Sequence, residues 1–134
     1  MKKKFITVAI DSPAAAGAGT QAKLISKHYN LFYLDTGKIY RYLGYLRLKF
    51  KNRFSYNFVK KKIAKIKNIY LSNKKLLSDD VAISASIIAK DKKIRQIVHH
   101  YQQLCAYKPP SKYKGSLLDG RDITSVQMKD AMFK

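Results

Sequence analysis

Ser12-Pro13-Ala14-Ala15-Ala16-Gly17-Ala18-Gly19-Thr20 is a run of mostly small residues whose backbone is free to do chemistry. Small side chains let successive N–H groups curl around an anion, and a helix beginning there adds its partial positive charge. The general form of such a phosphate cradle is G-x-x-x-x-G-K-[ST]. Here Ser12 stands at the first glycine and Ala18 at the lysine. Taken alone, the segment reads as an ordinary glycine- and alanine-rich turn.

Other residues are suited to gripping a phosphorylated ligand. Arg41 lies one helical turn past Asp35-Thr36-Gly37, and Arg95, Arg121 and Asp122 follow later. A guanidinium fork matches phosphate oxygens better than a lysine ammonium. Singly, each is unremarkable: an arginine on a lysine-rich surface is usually solvated, Ser86 in a helix is usually a packing residue, and Asp35 serves equally as a helix cap. His28, His99 and His100 lack metal-like spacing with cysteine or acidic partners and receive no role. No Ser/His/Asp or paired-carboxylate constellation stands out. Cys105, the single cysteine, lies beside Leu104 and Ala106 in a helical pattern and reads as a buried thiol.

These residues need elements to position them. Residues 5–10 form a β-branched apolar run suited to a strand buried on both faces. Residues 20–30 follow as a helix with Ala22, Ile25 and Tyr29 on one stripe, then a strand over 31–34 and a turn at Asp35-Thr36-Gly37. Strand, loop, helix, strand is a βαβ unit, and hence an α/β fold. Helices are expected over 38–50 and 54–67, a short strand over 68–71, and a turn at Ser72-Asn73. A helix capped by Ser78 should run to about Lys90, and another from Asp91 to about Tyr107, stopped by Pro109 and Pro110. Residues 116–118 read as a third parallel strand.

Composition sets bounds. At 134 residues the chain suits one domain at most, and 46% hydrophobic residues suffice for a core. The +20 formal charge attracts polyanions, yet the excess is mostly lysine scattered along the chain, so no nucleic-acid partner is expected. No stretch is long and apolar enough to span a membrane, and residues 5–10 are too short for a signal peptide. A cytoplasmic setting, without a membrane partner, is the expectation.

The joint pattern resembles the bacterial cytidylate kinases. That family shows D-G-P-x-x-x-G-K-G-T, where this chain has Asp11-Ser12-Pro13 through Thr20, with Gly17, Gly19 and Thr20 matching. Its Y-L-D-[ST]-G-x-x-Y-R phrase corresponds to residues 33–41. Its A-S-x-[VI]-A helix with a following V-R corresponds to Ala85-Ser86-Ile87-Ile88-Ala89 and Ile94-Arg95. Its D-G-R-D phrase corresponds to Asp119-Gly120-Arg121-Asp122. The resemblance implies a P-loop NTPase fold: a doubly wound parallel sheet, with about three of five strands present, and a helical monophosphate-binding insert. Residues 1–45 and 114–134 would form the core and about 46–113 the monophosphate-binding region. It implies transfer of the ATP γ-phosphoryl group to CMP or dCMP, with Mg2+ held mainly by phosphates and water. Residues 12–20 would hold ATP phosphates. Asp35, Thr36, Gly37, Arg41, Ser86, Arg95, Arg121 and Asp122 would hold CMP, with Arg41, Arg121 and Asp122 acting in catalysis. The complete protein is expected to be a monomer.

Three departures qualify the resemblance. Ala18 replaces the lysine that bridges the outer phosphates of ATP, for which Lys23 or Lys38 could substitute. The family continues past this chain's last residue with a further strand, an arginine-rich lid and C-terminal helices, so the fragment alone is expected to be inactive, with a sheet edge uncovered. Residues 46–77 diverge: Leu77 stands where arginine is common, and Thr124-Ser125 replaces Gly-Thr. A binding alternative follows from Ala18 and the +20 charge: a pseudokinase that binds nucleotide or nucleic acid without turnover.

Overall fold

Ile6–Asp11 (β1), Leu31–Asp35 (β2) and Gly115–Gly120 (β3) form the sheet of a computed structural model that describes residues 6–11, 18–120, 123, 128 and 130–134. Both pairings are parallel and β3 lies in the centre, in the order β1-β3-β2. Its first five residues are buried, as expected of a central parallel strand. Ser116 is fully buried there, and its hydroxyl is satisfied by donating to the Ala106 carbonyl at 2.6 Å. The three strands match the expected ones, with β2 and β3 running on through Asp35 and Asp119-Gly120.

Ala18–Tyr29 (α1) joins β1 to β2. Ala22 packs with Leu31 and Leu117, but the expected stripe is rotated: Ser26 is buried, while Ile25 and Tyr29 are exposed. The small side chains at Ala22 and Ser26, four apart, permit a close approach to the sheet that the larger residues would prevent. The chain leaves α1 through Asn30, at φ 56°, a left-handed cap that asparagine tolerates. Its side-chain amide donates to the Lys112 carbonyl at 3.0 Å. On the other side of β1, Val8 forms a parallel bridge with Phe133, so this edge is partly paired rather than bare.

The remaining elements are helical. Thr36–Phe50 (α2) starts directly after β2, with no turn between, and a 3-10 turn at Lys51–Arg53 follows. Tyr56–Ala64 (α3) is capped by Ser55, and Asp79–Ala89 (α5) by Ser78, whose hydroxyl accepts from the Val81 amide. Asn68–Leu71 (α4) is a single helical turn where a strand was expected. The described residues around it offer no strand to pair with, and its backbone closes locally through Tyr70 N to the Lys67 carbonyl at 2.9 Å. Lys74–Leu77 is a second 3-10 turn, and Lys92–Tyr107 (α6) ends before the two prolines. Cys105 is buried.

Two compact units divide the chain: residues 1–36 with 102–134, and residues 37–101. Most of α2 belongs with α5, because a Cβ on Gly44 would lie only 2.7 Å from the Ala85 amide nitrogen. The last turns of α6 belong with the sheet, where Ala106 receives the Ser116 hydroxyl.

Candidate functional site

In the sheet unit, the carboxyl ends of the strands carry the polar groups. Asp35 and Asp119 are register partners, as are Asp11 and Gly120. This is the edge at which parallel α/β sheets bind ligands. Asp119 is buried and its carboxylate receives the Tyr33 hydroxyl at 3.4 Å. Burial, then the charges of Asp35 and Asp119, then that hydrogen bond hold the Tyr33 phenol well above its ordinary pKa. Asp11 accepts from the Ile123 amide at 2.6 Å, fastening the chain just beyond β3.

Thr36, at the first position of α2, is buried and donates to the Asp119 carbonyl at 3.1 Å. Its proton is therefore used within the protein, and only its oxygen lone pairs remain to meet a nucleotide. Gly120 allows this bond: a Cβ there would overlap the Thr36 hydroxyl. Thr20 and Lys23 are exposed on the first turns of α1. Residues 12–17, Arg121 and Asp122 lie outside the described residues. So does most of the expected phosphate loop, of which Ala18, Gly19 and Thr20 open α1.

In the helical unit, Arg41 is half-buried on α2 and donates through Nη1 to the Leu76 carbonyl at 3.0 Å. Ser86, exposed on α5, donates back to the Ile83 carbonyl at 2.8 Å. Arg95 is exposed near the start of α6, close enough to Tyr40 for its charge to act on the phenol. Burial raises the Tyr40 pKa and the Arg95 charge opposes that rise. Asp35 and Gly37 flank the start of α2, with Gly37 exposed and Lys38 half-buried.

Arg41, Tyr40 and Arg95 thus share the helical unit with Ser86, while Asp35 and Thr36 belong to the sheet unit. Sequence reasoning gave no role to Tyr33, Asp119, Asp11, Tyr40 or the Leu76 carbonyl. A signal was available for two of them: Asp11 and Asp119, like Asp35, each close a short apolar run, placing a carboxylate at the same end of each described strand. The Leu76 carbonyl has no signal, since a backbone acceptor is independent of side-chain type. Among the described residues, no group of three or more His, Cys or Asp side chains is placed to hold a metal. Nor is any described helix long and apolar enough to cross a membrane.

Residues 8–134 match the family model described as Cytidylate kinase. The cytidylate kinase of Bradyrhizobium sp. (strain ORS 278) is 35% identical over 128 residues, covering 95% of this chain and 58% of the relative. That of Clostridioides difficile (strain 630) is 34% identical over 142 residues, covering 96% and 62%. That of Mycoplasmoides gallisepticum is 40% identical over 136 residues, covering 95% and 58%. This chain spans about three fifths of the length of these relatives. With the sheet, the ordered motifs and a match over nearly all its residues, the chain belongs to the cytidylate kinase family.

Proposed function

We propose that this protein transfers the γ-phosphoryl group of ATP to CMP or dCMP, giving ADP with CDP or dCDP. The family match over residues 8–134 carries the reading, and the relatives' name supplies the acceptor. Phosphoryl transfer depends chiefly on positioning and on compensating the charge of the phosphates. The backbone of Ser12, Pro13, Ala14, Ala15, Ala16, Gly17, Ala18, Gly19 and Thr20 would cradle the donor phosphates. Arg41 and Arg121 would grip the acceptor phosphate. Asp35, Thr36 and Gly37 would border the nucleotide, and Ser86, Arg95 and Asp122 would read the cytosine. Mg2+ would enter on the nucleotide phosphates, in keeping with its preference for phosphate and water oxygens.

Ala18 favours a second reading, in which nucleotide is bound but turned over weakly or not at all. Calorimetry with CMP and a coupled ADP-release assay with MgATP, both on a complete version of the protein, separate the two. Binding of CMP and dCMP in preference to UMP and AMP, with ADP release on mixing, supports the kinase. Binding without release supports the second reading, and absence of CMP binding removes both.

A further inference from the structure

Between Asp35 and Asp79 the chain has no acidic residue and thirteen lysines and arginines. Along the sequence they look scattered, but the fold brings Lys49 and Lys62 against one set of rings. At the end of α2, the following 3-10 turn and α3, Phe50 and Phe58 lie with ring centroids 5.3 Å apart, and Phe54 lies 6.0 Å from Phe58. The Lys49 and Lys62 ammonium groups approach the Phe50 ring at 5.4 and 5.5 Å, and Lys62 also lies 5.4 Å from the Phe58 centroid. Lys51, Arg53, Lys60 and Lys61 are exposed on the same short stretch.

On α3, Phe58, Lys61 and Lys62 fall three and four residues apart and extend to Lys65 at the cap, forming one stripe. Val59 and Ile63 are buried on another side of the helix. Asp91 meets this region at the start of α3, where it receives the Tyr56 hydroxyl at 2.9 Å, and Lys93 stands over the Tyr56 ring at 5.0 Å. Two ammonium groups on one ring repel each other, and the ring's negative face offsets this only partly. An extended anion would relieve the repulsion along the whole stripe.

We infer that this surface binds a single-stranded nucleic acid, with Lys49, Lys61, Lys62 and Lys65 on its phosphates and the phenylalanine cluster beside its bases. Closely spaced cations next to aromatic rings are what a sequence-tolerant single-strand site requires. An anionic membrane fits less well, because α3 buries Val59 and Ile63 and keeps no aliphatic face to insert. These residues lie within the region expected to bind the monophosphate but are none of those named as holding it, so competition by excess CMP separates the two readings.

The test is fluorescence anisotropy of a 5′-fluorescein oligouridine at two salt concentrations. It uses the full chain, the variant K49Q/K61Q/K62Q/K65Q, and the equally discharged control K27Q/K90Q/K108Q/K114Q. Expected are a loss of about tenfold or more for the first variant, a loss of about twofold or less for the control, and a shallower salt dependence in the first alone. Excess CMP should leave the oligonucleotide bound. Equal losses in both variants would reduce the effect to net charge and overturn the inference. So would displacement by CMP, absence of binding at low salt, or preference for phosphatidylserine vesicles over the oligonucleotide.

Discussion

The Arg41 guanidinium donates through Nη1 to the carbonyl oxygen of Leu76 at 3.0 Å, so α2 and the Lys74–Leu77 turn hold this arginine in one orientation. A half-buried arginine fixed in this way keeps its other N–H groups in a defined fork. Arg41→Lys retains the charge but cannot span both the carbonyl and a phosphate. CMP affinity is expected to fall by about tenfold to a hundredfold, as for loss of a charge-assisted hydrogen bond. Cytidine, which lacks the phosphate, should bind the variant and the parent equally. Calorimetry with both ligands checks this, and an equal loss for cytidine would remove Arg41 from the acceptor phosphate.

At the end of β3, Gly120 and Thr36 are coupled by space. A Cβ at position 120 would occupy the place of the Thr36 hydroxyl and break its bond to the Asp119 carbonyl. Gly120→Ala is expected to cost about 1–3 kcal/mol of stability through overpacking. Thr36→Ala should cost about 1–2 kcal/mol, since it leaves the buried Asp119 carbonyl without that donor. The double variant should be less destabilised than the two costs combined, because each change removes the other's partner. Urea denaturation of the four proteins measures the coupling, and strict additivity would contradict it.

How far the sequence discloses this arrangement depends on which physical signal each part leaves. The strands are legible because a parallel strand is a short apolar run, and residues 5–10 and 116–118 have that pattern. Ser78 caps by side-chain type, which sequence retains; Ser55 does likewise, but the expected helix start at residue 54 passes over it. Asn68–Leu71 misleads, because its three apolar or β-compatible residues, Ile69, Tyr70 and Leu71, do not reveal whether a partner strand exists. The Ile25 and Tyr29 stripe misleads because periodicity marks a helix without fixing which adjacent stripe faces the sheet. The bond from Arg41 to Leu76 and the crossing at Gly44 and Ala85 depend on backbone positions brought together by folding. The lysine and phenylalanine cluster is hidden for the same reason.

Tyr33 makes stability depend on alkaline pH. Its phenol pKa is raised in the native state by burial first, then by the Asp35 and Asp119 charges and the hydrogen bond to Asp119. Below the ordinary tyrosine value of about 10, native and unfolded chains both keep the proton and the contribution is constant. Above it, the unfolded chain releases the proton while the native chain retains it. The unfolded state then binds fewer protons, so stability falls as pH rises. Urea midpoints should therefore drop between about pH 9 and about pH 11, and Tyr33→Phe should make the drop shallower. An unchanged slope would show that the phenol does not titrate late.

Ala18 bears on whether the protein turns nucleotide over. A lysine at this position in the phosphate loop would bring a cation to the outer phosphates of ATP, where charge develops during transfer. Lys23, exposed one turn further along α1, and Lys38, near the start of α2, are the available substitutes. If neither substitutes, Ala18→Lys should raise ADP release in the presence of CMP by on the order of tenfold or more, while leaving CMP affinity unchanged. If one does, Lys23→Met or Lys38→Met should lower release by a similar factor, and the lysine at position 18 should restore it. Measured in a complete, active version of the protein, ADP release by the parent and the three single variants, followed by the matching double variant, distinguishes these cases. Robust release that none of the substitutions alters would show that charge compensation comes from elsewhere in the protein.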